Sequence, residues 1–111
     1  MKIVVIASDH NGVDQKEEIK SYLIKQGLKV LDLGPYDKES VDYNIYAKNL
    51  AKIIQNKEAD NGILICGTGV GMSIVANRLS NVRAVLAHND FTTLKSREHN
   101  DTNVLCLGSW I

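Results

Sequence analysis

The sequence predicts a single α/β domain in which helices cover both faces of an open, parallel, five-stranded sheet. Strand-like and helix-like segments alternate along the 111 residues, and a chain of this length holds one hydrophobic core. Most strand segments are short and continuously apolar, which is typical of strands buried on both faces. Because successive parallel strands need crossover helices, the alternation predicts a Rossmann-like, three-layer arrangement.

The first part of the chain predicts a strand, a helix and a second strand. Residues 2–7 (KIVVIA) and 28–33 (LKVLDL) are apolar runs that end at polar or glycine-containing turns. Between them, residues 13–26 have the periodicity of an amphipathic helix. That periodicity places Tyr22 on the apolar face and Lys16 among the charges that face solvent, and the glycine after residue 26 ends the helix.

The middle of the chain predicts a longer helix followed by a strand and a short helix. Residues 42–56 carry apolar side chains at helical spacing, and residues 62–66 (GILIC) form the third strand. The glycine-rich segment 67–71 (GTGVG) then turns the chain into a short helix at about residues 72–78.

The last part predicts two more strands, at residues 82–87 (VRAVLA) and 103–107 (NVLCL), with a short helix at 91–98 between them. The sequence given ends soon after the fifth strand, before any further helix. We therefore expect one face of that strand to lack a cover, which additional chain or a partner copy would supply.

Composition and charge exclude several classes of function. Thirteen basic residues balance thirteen acidic ones, which gives no electrostatic reason to expect nucleic acid or an anionic membrane as a partner. No apolar run reaches transmembrane length, and the first run is too short for a signal peptide. The two cysteines fit neither a disulfide scaffold nor a zinc pattern. We expect a cytoplasmic protein without a bound metal.

Glycines alternate in the turn between the third strand and the following helix, at Gly67, Gly69 and Gly71. Such a turn exposes backbone N–H groups that can hold an anion, although tight packing explains the glycines equally well. The spacing matches neither the dinucleotide fingerprint nor the P-loop. Cys66 lies at the edge of this turn, where the helix dipole favours a thiolate. Cys106, inside an apolar strand, is expected to be a core residue.

Two further polar clusters accompany this turn. Residues 8–10 (SDH) follow the first strand, where they either point into a cleft or cap a helix. Residues 97–101 (REHND) precede the fifth strand, either as functional groups or as a solvated loop. Residues before a parallel strand lie at the opposite edge of the sheet from residues after one. If His99 serves the same site as Cys66, a neighbouring subunit must supply it, so we expect a homodimer or higher homo-oligomer.

Four collinear segments resemble the type B ribose-5-phosphate isomerases and the related galactose-6-phosphate isomerase subunits. They are SDHNG at 8–12, ESVDY at 39–43, GILICGTGVGMSIVANR at 62–78 and SREHNDTNVLCLG at 96–108. The resemblance implies interconversion of an aldose phosphate and a ketose phosphate, namely ribose 5-phosphate and ribulose 5-phosphate, without a metal or organic cofactor.

The resemblance also implies a role for each candidate residue. Cys66 corresponds to the base that moves a proton between carbons 1 and 2, and Thr68 to a group that relays a proton between the oxygens. His99 corresponds to the acid/base that opens the sugar ring, with Asn100 as a further hydrogen-bonding group. The other implied substrate-binding residues, which orient hydroxyls, approach the phosphate, line the cleft or hold the ene-diolate oxygens, are Asp9, His10, Tyr43, Gly67, Gly69, Val70 and Gly71.

Two departures from the family pattern leave alternatives open. Relatives continue with a C-terminal helix whose arginines bind phosphate, and they commonly carry an arginine where this sequence has Trp110. The chain is therefore an active isomerase or a weakly active or inactive relative that binds a phosphorylated sugar. Cys66 favours the ribose phosphate group over the galactose-6-phosphate isomerase subunits, since some relatives use a carboxylate base. A nucleotide- or phosphate-binding module with the same fold is the alternative from a different class.

Overall fold

Five strands and four helices alternate through residues 2–111, the part of the chain that the computed structural model describes. The strands are β1 (Ile3–Ser8), β2 (Lys29–Asp32), β3 (Asn61–Cys66), β4 (Ala84–Leu86) and β5 (Val104–Gly108). The helices are α1 (Val13–Lys25), α2 (Tyr43–Gln55), α3 (Val70–Ala76) and α4 (Asp90–Asn100). Every element lies where the periodicity predicts it, so the predicted α/β fold class is confirmed.

All strand pairs are parallel, and the strands follow the order β2-β1-β3-β5-β4 across the sheet. With right-handed crossovers, this order places α1 and α4 on one face and α2 and α3 on the other. The chain leaves β1 in one direction and β3 in the other. A crevice therefore forms beyond the carboxyl ends of these two strands, where ligands of such folds bind.

The main hydrophobic core lies between the sheet and the α2/α3 layer. Val5, Leu64 and Cys106 from the sheet pack there with Leu50 of α2 and Met72 of α3, and all five are fully buried. On the opposite face, a groove between α1 and α4 leaves Leu105 and Leu107 of β5 only partly buried. The expectation that one face of the fifth strand lacks a full cover is thus confirmed.

The prediction for the two faces of α1 is wrong at two positions. Lys16, predicted to face solvent, is fully buried, whereas Tyr22, predicted on the apolar face, is 61% exposed. The Lys16 ammonium lies 2.8 Å from Oδ2 and 3.0 Å from Oδ1 of Asp32 at the end of β2. This ion pair compensates the desolvation of the lysine, so α1 turns a charged residue toward the sheet.

No helix within residues 2–111 is both long and apolar enough to cross a bilayer.

Candidate active site

The carboxyl ends of β1 and β3 bring two of the predicted polar clusters together. Ser8 pairs with Ile65 in the sheet, and the backbone N–H of Asp9 donates to the Ile65 carbonyl at 3.0 Å. The next position along β3 is Cys66. The backbones of Asp9 and Cys66 therefore lie side by side at the ends of neighbouring strands, about 4.8 Å apart. The sequence prediction that the turns after the first and third strands share one edge is confirmed.

One backbone amide of the turn after β3 donates a hydrogen bond to the Cys66 sulfur. Gly69 adopts a left-handed conformation (φ +82°), and its N–H donates to Cys66 Sγ at 3.0 Å. Within residues 2–111, the amide groups of Gly67, Thr68 and Gly71 donate to no protein acceptor. The turn therefore presents unpaired donors next to a sulfur that already accepts one N–H.

The two cysteines belong to the same hydrophobic core cluster on one face of the sheet but differ in their polar contacts. Cys66 is 6% exposed, and its sulfur has a polar contact with the Gly69 amide. Cys106 is fully buried, and this burial, with a smaller electrostatic contribution from Cys66, raises the pKa of its thiol to about 12. Cys106 is a core residue, as the sequence predicts. A thiol with such a pKa stays protonated at neutral pH.

Side chains from the neighbouring loops complete this edge of the sheet. His10 Nδ1 accepts the N–H of Val41 at 3.2 Å, which ties the loop before α2 to the end of β1. Asp9 accepts the backbone N–H of Asn11 on Oδ1 at 2.9 Å and the Asn11 side-chain amide on Oδ2 at 3.4 Å. These bonds close a turn before α1, whose N-cap is Gly12 without a side-chain cap, so the capping interpretation is wrong for Asp9. The Tyr43 ring, at the start of α2, packs so closely on Gly71 that a Cβ there would lie 2.7 Å from it.

Thr68 and Val70 lie within the turn itself. The Thr68 hydroxyl accepts the N–H of Val70 at 3.2 Å, and both residues are exposed. The hydroxyl can still donate its own proton to a second acceptor. Thr68 is thus placed to exchange hydrogen bonds with a molecule bound over the turn.

His99 and Asn100 are not part of this cluster within one copy of the chain. Both are exposed at the C-terminal end of α4, and the Asn100 carbonyl accepts a hydrogen bond from Nε of Arg83, which precedes β4. Cys66 pairs with Gly108, at the other end of β5. The length of β5, about 13 Å, therefore separates His99 and Asn100 from Cys66 along the sheet. Their predicted location at the opposite edge is confirmed.

A family described as Ribose/Galactose Isomerase matches residues 4–111 of this chain. The chain belongs to the ribose/galactose isomerase family. Ribose-5-phosphate isomerase B of Escherichia coli (strain K12) is 45% identical over 109 residues, which cover 98% of this chain and 73% of that protein. The family resemblance seen in the four sequence segments is thereby confirmed.

Solved structures of ribose/galactose isomerase relatives have the same fold. Clostridium thermocellum ribose-5-phosphate isomerase B superposes with a TM-score of 0.97 at 43% identity, covering 98% of this chain and 74% of that one. A ribose 5-phosphate isomerase from Thermotoga maritima gives a TM-score of 0.96 at 45% identity, covering 99% and 76% of the two chains.

The structure shows a contact beside this turn that the sequence patterns do not predict. The N–H of Ser109 donates to the Cys66 carbonyl at 2.7 Å, and the N–H of Trp110 donates to the Gly67 carbonyl at 2.9 Å. The chain after β5 therefore lies against the turn after β3. The sequence marks Trp110 only as the replacement for an arginine, because the order of elements along the chain does not reveal the pairing of β3 with β5.

The conformation of Gly69 gives a testable prediction for this family member. A Cβ at Gly69 would lie 2.7 Å from the Leu86 side chain and 3.0 Å from the Leu107 backbone, in addition to the cost of a positive φ. We expect Gly69→Ala to lower the free energy of unfolding by about 2–4 kcal/mol and to displace the amide that binds Cys66 Sγ. Urea unfolding and an activity assay measure the two effects.

Gly27→Ala is the matched control for Gly69→Ala. Gly27 has a similar φ of +84°, but no atom lies within 4 Å of the position of its Cβ. Gly27→Ala should therefore cost only the backbone strain, about 1–2 kcal/mol, with activity retained. Equal losses of stability in the two variants would show that crowding at Gly69 is unimportant.

Proposed function

We propose that this chain is an aldose–ketose isomerase that interconverts ribose 5-phosphate and ribulose 5-phosphate through an ene-diolate, with Cys66 as the base. The observation that carries this proposal is the Cys66 sulfur lying beside unpaired backbone amides at the carboxyl edge of the sheet. Isomerisation needs both parts. A base removes a proton from carbon, and hydrogen-bond donors stabilise the negative oxygen that forms.

The proposed proton transfer conserves atoms and needs no external oxidant or reductant. The Cys66 thiolate takes the proton from carbon 2 of the open-chain aldose, and the electron pair moves to the carbonyl oxygen at carbon 1. The amides of Gly67, Gly69 and Gly71 line the turn that receives this charge. One such donor typically lowers the activation barrier by about 3–4 kcal/mol. Thr68 passes a proton between the two oxygens, and Cys66 returns its proton to carbon 1.

The remaining side chains at this edge support a role in holding the sugar phosphate. The free carboxylate electron pairs of Asp9 accept sugar hydroxyls. Because His10 Nδ1 accepts the Val41 N–H, the neutral ring carries its proton on Nε2, where it can donate to a phosphate oxygen. Tyr43 and Val70, both partly exposed, supply the walls of the cleft.

We also propose that the active form is a cytoplasmic homodimer or higher homo-oligomer. His99 and Asn100 lie at the far edge of their own copy, so a second copy supplies them to the Cys66 site. His99 then acts as the acid/base that opens the furanose ring, and Asn100 adds a hydrogen bond to the sugar. A monomer with full activity after gel filtration contradicts this arrangement.

A second candidate is a relative that binds a phosphorylated sugar but turns it over slowly. Trp110 favours this candidate, because an indole gives none of the bidentate hydrogen bonds to phosphate that an arginine at this position would make. The catalytic turn is the same in both candidates, so they differ in affinity and rate rather than in the location of the site.

Calorimetric titration with ribose 5-phosphate and with adenosine monophosphate tests the proposal, together with an assay for ribulose 5-phosphate. We expect heat and turnover with the sugar phosphate and no heat with the nucleotide. Heat without turnover supports the second candidate. Binding of the nucleotide without binding of ribose 5-phosphate rejects both in favour of a nucleotide-binding module.

A further inference from the structure

The carboxylate of Asp32 has a backbone partner besides the Lys16 ammonium. Its Oδ1 atom, which lies 3.0 Å from Lys16 Nζ, also accepts the N–H of Gly34 at 2.8 Å. Gly34 is buried and has a positive φ of +89°. A buried N–H without an acceptor is costly, so the carboxylate holds the backbone in place two residues beyond the end of β2.

Gly34 in turn binds the end of β1. Its carbonyl accepts the N–H of Ser8 at 3.1 Å, while the next N–H along the chain, of Asp9, donates to the Ile65 carbonyl of β3 at 3.0 Å. The end of β1 is thus bonded on both sides, to β3 through Asp9 and to the segment after β2 through Ser8. Because the direction in which Asp9 leaves the sheet depends on both bonds, the position of Gly34 is transmitted to Asp9.

The loop that begins at Asp32 also reaches His10. Residues 33–42 join β2 to α2, and near the end of this loop the N–H of Val41 donates to His10 Nδ1 at 3.2 Å. Near its start, the hydroxyl of Tyr36 donates to the Asp32 carbonyl at 2.9 Å, and the tyrosine ring lies 5.3 Å from the lysine ammonium that Asp32 binds. The loop is therefore attached to the buried ion pair at one end and to His10 at the other.

The ion pair itself is closed off from the carboxyl edge of the sheet. The side chains of Lys16 and Asp32 are 0% and 6% exposed, so any effect on a bound molecule passes through the residues that they hold. We propose that Asp32 is a positioning residue for substrate binding, which places Asp9 and His10 by accepting the Gly34 N–H. This inference rests on the proposed function, to which it adds a determinant of affinity outside the site.

The inference distinguishes substrate binding from proton transfer. The proposed base, Cys66, and its amide partner belong to β3 and the turn after it, whereas the Asp32 carboxylate bonds to α1 and to Gly34. Displacement of Gly34 therefore moves the groups proposed to hold the sugar phosphate and leaves the proposed base in place. Removal of an interaction that binds ground state and transition state alike raises KM with kcat unchanged.

Two double variants separate this role from stability. Lys16→Met/Asp32→Leu removes the ion pair and the acceptor of the Gly34 N–H, whereas Lys16→Met/Asp32→Asn removes the ion pair but keeps an oxygen for that N–H. Neither retains the buried charges, and methionine fills the space of the lysine stem. Each leaves one buried N–H group unpaired, namely that of Gly34 with leucine and that of the side-chain amide with asparagine. We therefore expect similar midpoints in urea.

The affinities of the two double variants should differ. With leucine at position 32, KM for ribose 5-phosphate and the calorimetric Kd should rise about tenfold with kcat within about threefold. With asparagine, all three should stay within about threefold of the parent. A merely structural role predicts another pattern, because partial unfolding lowers kcat through fewer folded molecules and leaves KM unchanged. Equal KM values in the two double variants, or a loss confined to kcat, overturn the inference.

The tautomer of His10 gives a readout that does not depend on turnover. Nitrogen NMR of histidine-labelled protein shows which ring nitrogen carries the proton, and His10→Asn identifies the signals of this residue among the three histidines. At about pH 8, where an imidazole is ordinarily neutral, the asparagine double variant should keep the proton on Nε2. The leucine double variant should give a mixture of tautomers, because the Val41 N–H is displaced. The parental tautomer in the leucine double variant overturns the inference.

The failure of this inference is distinguishable from the failure of the proposed function. Turnover in the parent with equal affinities in the two double variants rejects the role of Asp32 and leaves the isomerase proposal intact. Neither heat nor turnover with ribose 5-phosphate in the parent rejects both. Lys16→Met/Asp32→Ala also lacks the acceptor, and it replaces the leucine double variant if the larger side chain prevents folding.

Discussion

Replacement of Cys66 by alanine should abolish exchange of the carbon 2 proton of ribose 5-phosphate in deuterium oxide. The sulfur is the proposed base beside the amide of Gly69, and alanine offers no group that can take the proton. Loss of a general base typically lowers the rate by about 10²–10⁴-fold. Nuclear magnetic resonance of the substrate measures the exchange, and a coupled assay measures the isomerisation.

Cys106→Ala is the matched control for this variant. Cys106 is fully buried, and the raised pKa of its thiol keeps it protonated, so its loss should leave exchange intact. The cavity left in the core should lower the free energy of unfolding by about 1–2 kcal/mol. Equal losses of exchange in the two cysteine variants would falsify the assignment of Cys66 as the base.

Mixing Cys66→Ala with His99→Asn extends the same experiment to the oligomer. If one copy supplies Cys66 and another supplies His99, each variant alone is inactive, but a mixed dimer contains one intact site. Random exchange of subunits should then restore about a quarter of the parent activity. A mixture that stays as inactive as its components contradicts a shared site.

The second large effect that we expect is a loss of stability when the buried ion pair between Lys16 of α1 and Asp32 of β2 is broken. Lys16 is fully buried with its Nζ 2.8 Å from Asp32 Oδ2, and the Asp32 side chain is 6% exposed. Asp32→Asn removes the buried one of the two carboxylates that pair with Lys16 and leaves only the half-exposed Glu17, 2.8 Å from Nζ. This loss should lower the free energy of unfolding by about 3 kcal/mol, the lower end of the cost of breaking a buried pair. Urea unfolding at neutral pH measures the loss.

Asp14→Asn is the control for Asp32→Asn, because Asp14 also pairs with a lysine but on the surface. Its carboxylate lies 2.7 Å from Lys38 Nζ, with side chains 78% and 65% exposed. An exposed pair contributes less than about 1 kcal/mol, so this variant should unfold almost like the parent. Similar losses in the two variants would contradict a special contribution from the buried pair.

The pH dependence of stability follows from the same pair. Burial by itself would raise the pKa of Asp32, but hydrogen bonds from Lys16 and from the Gly34 N–H outweigh it and hold the pKa below its ordinary value of 3.8. A carboxyl group with a lower pKa in the folded state stabilises the fold above its unfolded pKa, and this stabilisation is lost as the pH falls through the folded pKa. The difference between parent and Asp32→Asn should therefore shrink below about pH 4. A constant difference down to pH 2 would contradict this linkage.

Lys16 makes the stability of the fold depend on pH in the alkaline range as well. Burial by itself would lower its pKa, but hydrogen bonds to Asp32 and Glu17 outweigh it and raise the pKa above its ordinary value of 10.5. The stabilisation from the lysine is therefore present below the unfolded pKa and is lost as the pH rises through the folded value.

Much of the fold could be predicted because its strands and helices have clear periodicity, but this pair could not. Helical periodicity assigns charged residues to solvent, and it placed Lys16 there although the lysine is fully buried. Its burial depends on Asp32, which is sixteen residues away along the chain, at the end of β2. Local patterns in a sequence carry no information about such a compensating charge.

The candidate site was predictable to a similar extent and for similar reasons. Asp9 and Cys66 follow parallel strands, so their common edge follows from the alternation of elements. The contact of Trp110 with Gly67 depends on β5 lying between β3 and β4, which brings Gly108 beside Cys66. The order of elements along the chain does not specify that insertion, so the aromatic ring next to the turn was missed.

The position of β3 at the centre of the sheet has a consequence for how the molecule fluctuates. β1 and β5 flank β3 on both sides, whereas the short strands β2 and β4 form the two rims. Partial opening begins at rims, where each strand has one neighbour, and the interior of a sheet exchanges its amide hydrogens mainly when the whole domain opens. We therefore expect the Cys66 thiol to be attached to the most slowly exchanging part of the protein, so that transient loosening of either rim leaves the proposed site assembled.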